Sequence, residues 1–149
     1  MIRPVEPRDA PAWAAMRARL WPHADADELF AEAGVFVHGA DSFIDAAFIA
    51  EDESQRPVGF VELSIRDFAN GCNSMPIPFV EGWYVEVFAR RRGFGRSLLN
   101  AAEDWARERG FSELASDTEV ENVASQDAHG ACGFEETERL VTFRKSLAS

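Results

Sequence analysis

A chain of 149 residues with 46 % of them hydrophobic is long enough for one ordinary domain with a core of its own. Fifteen basic residues against 26 acidic ones leave a net charge of −11. So acidic a body neither grips nucleic-acid phosphates nor adheres to anionic membranes. Solubility accounts for most such excesses, and attraction of a cationic partner is the other reading. No apolar run nears the roughly 20 residues that cross a bilayer. Met1-Ile2-Arg3-Pro4-Val5-Glu6 lacks the layout of an export signal, so a cytoplasmic protein is expected. Cys72 and Cys132 then read as free thiols, and His23, His38 and His129 are too scattered to suggest a metal site.

Residues 1–149 contain no repeat or linker and read as one domain. Ile2 to Val5 is a strand candidate. Asp9 caps a helix to Leu20, with Pro11 in its first turn where a missing N–H costs little. Asp25 or Asp27 caps a second helix, which Gly34 stops. Ala46 to Ala50 and Val58 to Arg66 are strands; in the latter Val61, Leu63 and Ile65 point one way and Phe60, Glu62, Ser64 and Arg66 the other. Asp67 to Pro78 is a loop, and Phe79 to Val87 the next strand. Gly93 to Arg109 is an amphipathic helix with Phe94, Leu98, Ala101, Ala102 and Trp105 on one face, closed by Gly110. A short strand at Glu113 to Ser116, a short helix from Ser125 to Cys132 and a last strand at Val141 to Arg144 complete an α/β pattern, a mixed sheet with helices on its faces.

The chemistry concentrates where the strand ending near Val87 enters Arg90-Arg91-Arg92-Gly93-Phe94-Gly95-Arg96 and opens the longest helix. Free N–H groups at a helix start bind phosphate oxygens, glycines let the ligand approach the backbone, and four arginines add charge that the rest of the chain lacks. An anionic phosphate ligand is expected here. A basic turn that merely offsets acidic neighbours is the alternative. Glu81 opens the preceding strand, and Asp117 lies at the end of the adjacent one. Both project to where the sheet would open, so they read as functional carboxylates rather than surface ones.

Arg90-x-x-Gly93-x-Gly95 resembles the acyl-CoA signature of the GNAT N-acetyltransferase superfamily, and the stretch from Asn122 to Gly133-Phe134 resembles its second signature. Leu20-Trp21-Pro22, Ser64-Ile65-Arg66, Asn70-Gly71-Cys72, Phe79-x-Glu81-Gly82, Ala115 to Asn122 and Gly133 to Arg139 together resemble the aminoglycoside 6'-N-acetyltransferases over about Leu20 to Lys145. The resemblance implies the acyl-CoA N-acyltransferase fold and acetyl-CoA as co-substrate. It implies a pyrophosphate site on the N–H groups of Arg91, Arg92, Gly93, Phe94, Gly95 and Arg96, and a pantetheine arm along Trp83, Val85 and Val87. The N–H of Val85 would polarise the thioester, and Asn122 would touch the cofactor arm.

On the acceptor side it points again to Glu81 and Asp117, which would hold a cationic aminoglycoside and relay a proton. Trp21 is either an apolar wall for a sugar ring or core, and Phe68 carries the same ambiguity. Glu136 either lines an acidic cleft or lies on a solvated face. His129 stands where many superfamily members have a general-acid Tyr; it either protonates the leaving thiolate or simply packs, with solvent as the proton source. A homodimer, with Leu140 to Phe143 exchanged between copies, is also implied. An acetyltransferase for another amine, or a non-catalytic acetyl-CoA-binding regulatory domain, are the rival readings.

Overall fold

The computed structural model describes residues 1–148. Five strands form one sheet in the order β1 (Ile2–Pro4), β2 (Ala46–Glu51), β3 (Pro57–Arg66), β4 (Ile77–Val85) and β5 (Ala115–Ser116). The first three junctions are antiparallel, and β4 to β5 is parallel, so the sheet is mixed as expected. Among the described residues four helices accompany it: α1 (Ala10–Leu20), α2 (Ala26–Val37), α3 (Phe94–Glu108) and α4 (Val123–Ala131).

The alternation in β3 splits the core into two layers. Val61 and Leu63 face α3, packing on Leu98, Leu99, Ala102 and Trp105. Phe60 faces the other way, onto Trp13 and Met16 of α1 and Ala33 of α2. Glu62 shares that second face, and burial there demands a partner. Arg17 of α1 supplies it, donating from Nε at 3.0 Å and Nη2 at 3.1 Å, while its Nη1 reaches the Leu29 carbonyl and Glu32.

Several local expectations are corrected. Asp9 occupies the N-cap position of α1 without capping it; its carboxylate turns back to Arg3 and the Glu6 N–H. Asp25 does cap α2, accepting from Asp27 and Glu28. Gly34 does not stop that helix, which runs on to Val37 and is followed by Gly39 at φ +72°. A glycine inside a helix costs only about 1 kcal/mol, and packing outweighs it. The strand expected at 141–144 does not form: no sheet edge receives that segment, and Val141 and Phe143 are 79 % and 92 % exposed.

Candidate active site

The site lies where β4 and β5 part. They pair only at Phe79 with Ala115 and Val80 with Ser116; beyond that the edge of β4 is open. A cleft of about 550 Å³ fills the opening, lined by Trp21, Glu81, Gly82, Trp83, Ser116, Asp117, Asn122 and His129 among others.

Register explains which atoms face it. The Glu86 N–H donates to the Val58 carbonyl at 2.7 Å, which makes Gly59 and Val85 a non-hydrogen-bonded pair. The N–H and C=O of Val85 therefore point away from β3, toward the open edge, as do those of Trp83 two residues earlier. The Val85 carbonyl accepts from Arg90 Nε at 2.8 Å. Val87 does not continue this edge: β4 ends at Val85, and Val87 sits in a turn at 87–89 with its side chain 73 % exposed.

Glu81 owes its direction to a bulge. Glu62 pairs with Gly82 and Leu63 with Val80, so Glu81 is the extra residue of β4. Its carboxylate accepts from the Ser64 hydroxyl and from Arg66, through Nε at 2.8 Å and Nη2 at 2.6 Å. Burial alone would raise the Glu81 carboxyl, but the bonds from Arg66 and Ser64 outweigh it and hold the group below the ordinary glutamate range. Glu81 is thus a fixed anion. Its bonds and charge, with the nearby charge of Asp117, in turn strengthen the proton hold of Arg66. Asp117 itself is exposed in the cleft. Ser64 and Arg66 were not expected in the site, although their side of β3 was readable from the alternation; the missing information was the bulge that turns Glu81 toward them.

The turn that opens α3 is also formed. The turn before α3 places Arg91 at φ +63° and Gly93 at φ +88°, and no side chain caps the helix, so the amides from Phe94 to Arg96 keep their N–H groups for a ligand. The arginines divide their work. Arg92 pairs with Glu53 at 2.7 Å, and Arg96 donates to the Ala131 carbonyl at 2.7 Å, tying α3 to the end of α4. Trp83 donates from Nε1 to the Gly95 carbonyl at 3.0 Å, joining the strand edge to the helix start.

Trp21 meets Phe60 edge to face and lies over Gly82, where an added Cβ would come within 2.8 Å of the indole. Gly82→Ala should therefore push the ring into the cleft and cost about 1–3 kcal/mol by overpacking, which urea unfolding measures.

Asn122 caps α4 through Ser125 and lines the cleft. Phe68 and Glu136 do not enter it. Phe68 stands 62 % exposed in the loop before β4, and Glu136 bonds Arg139 on the exposed C-terminal segment. No cluster of three or more His, Cys, Asp or Glu able to hold a metal occurs among the described residues.

The profile of the Acetyltransferase (GNAT) family matches residues 10–134. The chain belongs to that family. It is 45 % identical over 147 residues to an aminoglycoside N(6')-acetyltransferase type 1 of Klebsiella aerogenes, covering 99 % of this chain and 97 % of that one. It is 46 % identical to a protein of the same name from Stenotrophomonas maltophilia, covering 98 % and 93 %. Among solved structures, AAC(6')-Iy in complex with the bisubstrate analogue CoA-S-monomethyl-acetylneamine superposes with a TM-score of 0.88, at 37 % identity, over 98 % of this chain and 97 % of that one. The sheet, the open β4 edge and the α3 turn are therefore those of a GNAT acetyltransferase.

Proposed function

We propose that this chain transfers the acetyl group of acetyl-CoA to the 6'-amine of aminoglycoside antibiotics. The observation that carries the reading is a cleft lined by Glu81, Trp83 and Asp117 at the open edge of β4, with Trp83 bonded through its indole to Gly95 at the uncapped start of α3. The relatives named as aminoglycoside N(6')-acetyltransferases support it.

In this mechanism the amides from Arg91 to Arg96 hold the pyrophosphate, and the edge of Trp83 and Val85 aligns the pantetheine. The Val85 N–H stabilises the oxyanion as the amine attacks. Glu81 and Asp117 hold the polycationic acceptor, Trp21 supplies an apolar wall for a sugar ring, and Asn122 contacts the cofactor arm. Direct attack between two oriented substrates needs no covalent enzyme intermediate. Acetylation removes a positive charge from the drug and weakens its hold on ribosomal RNA, which makes the protein a resistance determinant. It acts as one domain in the cytoplasm, and as a homodimer in which a second copy covers Leu140, Val141 and Phe143.

Thiol release with kanamycin or tobramycin, against polyamines and peptides, is the test. Turnover of a peptide but of no aminoglycoside rejects the reading. Binding of acetyl-CoA with no acceptor-dependent release identifies a regulatory domain instead. Gly93→Val should raise the acetyl-CoA Kd about tenfold or more, because φ +88° costs a side chain about 1–2 kcal/mol and a branched one crowds the phosphate amides. Titration calorimetry measures it.

A further inference from the structure

We propose that the Ser116 hydroxyl exchanges protons with the reacting atoms and that His129 behind it stores the proton. This rests on the acetyl-transfer reading. Ser116 is the last residue of β5, at the point where β4 and β5 part. Its Oγ lies 2.8 Å from His129 Nε2, and His129 Nδ1 lies 2.7 Å from the Ser125 carbonyl. A carbonyl only accepts, so Nδ1 carries the hydrogen and the Nε2 of the neutral ring is an acceptor. The Ser116 hydroxyl must then donate to His129, which leaves its oxygen lone pairs for a proton from the cleft. The ring is held in this pose edge to face between Trp83, at 5.2 Å, and Phe134, at 5.1 Å.

The carboxylates of the cleft are poorly suited to the same task. Glu81 is already occupied by Ser64 and Arg66. Asp117 is exposed, and among the described residues no hydrogen bond fixes its side chain toward the reacting atoms. An imidazole ring that carries a hydrogen on one nitrogen can take a proton at the other and give it back. The other titratable groups facing the cleft are Glu81 from β4 and Asp117 and Glu119 from the segment after β5. Arg96 reaches the end of α4 from α3.

The step balances. The acceptor ammonium first loses one proton to solvent. Its nitrogen lone pair forms the bond to the thioester carbon; Ser116 Oγ takes a second proton from that nitrogen while its own hydrogen passes to His129 Nε2. The C–S bond breaks with its electron pair on sulfur, and the proton returns from His129 through Ser116 to the thiolate. His129 ends neutral, the products are amide and free thiol, and nothing is oxidised or reduced.

Ser116→Thr and Ser116→Val differ only by the hydroxyl. With kanamycin as acceptor, the Thr variant should exceed the Val variant in kcat by about 100-fold, the scale of general acid–base catalysis, at equal acetyl-CoA affinity. His129→Gln keeps an acceptor for Ser116 but cannot store the proton; it should lose a comparable factor in kcat and lower the solvent deuterium isotope effect on kcat. Equal kcat in the Thr and Val variants overturns the relay, as does an unchanged isotope effect in His129→Gln. No turnover of kanamycin, tobramycin or any other aminoglycoside by the unaltered protein rejects the aminoglycoside reading itself, and the relay with it.

Discussion

Glu62→Ala is expected to destabilise the fold by about 3–5 kcal/mol, because it strands a buried cation. Arg17 and Glu62 are 1 % and 0 % exposed. Burial pushes the Glu62 carboxyl up, and the bonds and charge of Arg17 oppose that push. Without Glu62, the guanidinium keeps only the Leu29 carbonyl and the more exposed Glu32. Stacking on Trp13 and Trp21, whose ring centroids lie 5.6 and 5.1 Å away, does not replace a counter-charge. Replacing both partners removes the stranded charge, so Arg17→Met combined with Glu62→Leu should recover most of the loss. Urea midpoints of the single and double variants decide it; a loss under about 1 kcal/mol for Glu62→Ala would show that water or rearrangement rescues the charge. Because Arg17 lies against Trp21, the single variant should also disturb the cleft wall, whereas acetyl-CoA binding at the far side of β4 should be spared.

Much of this arrangement is legible in the sequence. The 3.6-residue pattern from Phe94 to Trp105 marks α3, and the alternation in β3 assigns Val61 and Leu63 to one layer and Phe60 to the other. Glu81, Trp83, Asp117, Asn122 and His129 do converge on one cleft. What was not legible depends on more than one strand at a time. Alternation along β4 alone cannot show that Glu81 is a bulge residue, because a bulge is a mismatch between two strands. It therefore cannot show that Ser64 and Arg66 engage it. Nor could the polar side of β3 reveal that Glu62 is buried, since that depends on Arg17 arriving from α1. An apolar run such as Leu140 to Phe143 has strand propensity, but propensity makes a strand only where the run joins a sheet edge, and here it joins none. From the sequence, Phe68 is either a sugar-ring wall or core and Glu136 either lines a cleft or lies on a solvated face; both are exposed, and neither lines this cleft.

The bulge also separates the two carboxylates proposed to hold the acceptor. Glu81→Gln keeps the shape but removes the charge that pairs with Arg66, so a guanidinium of uncompensated charge is left beside a site that must receive a polycation. The loss should be about 2–5 kcal/mol in kcat/KM, the usual cost of breaking a close charge pair, which is at least about 30-fold. Glu81 is held below the ordinary carboxylate range, so it is charged throughout neutral pH, and the loss should be flat from pH 6 to 8. Asp117 is exposed, and no hydrogen bond to its side chain is seen among the described residues; the attraction proposed for it would act through water and be screened by salt. Asp117→Asn should therefore cost less, about tenfold, fall mainly on KM, and shrink as ionic strength rises from 0.05 to 0.5 M. Acetyl-CoA affinity should stay within about twofold in both variants. A salt-independent kcat defect in Asp117→Asn would place Asp117 in the proton transfer itself. An Asp117→Asn variant with unchanged kcat/KM at low salt would remove it from the acceptor site. If Glu81→Gln were the milder of the two, the Arg66–Glu81 pair would be structural rather than a device for admitting a cation.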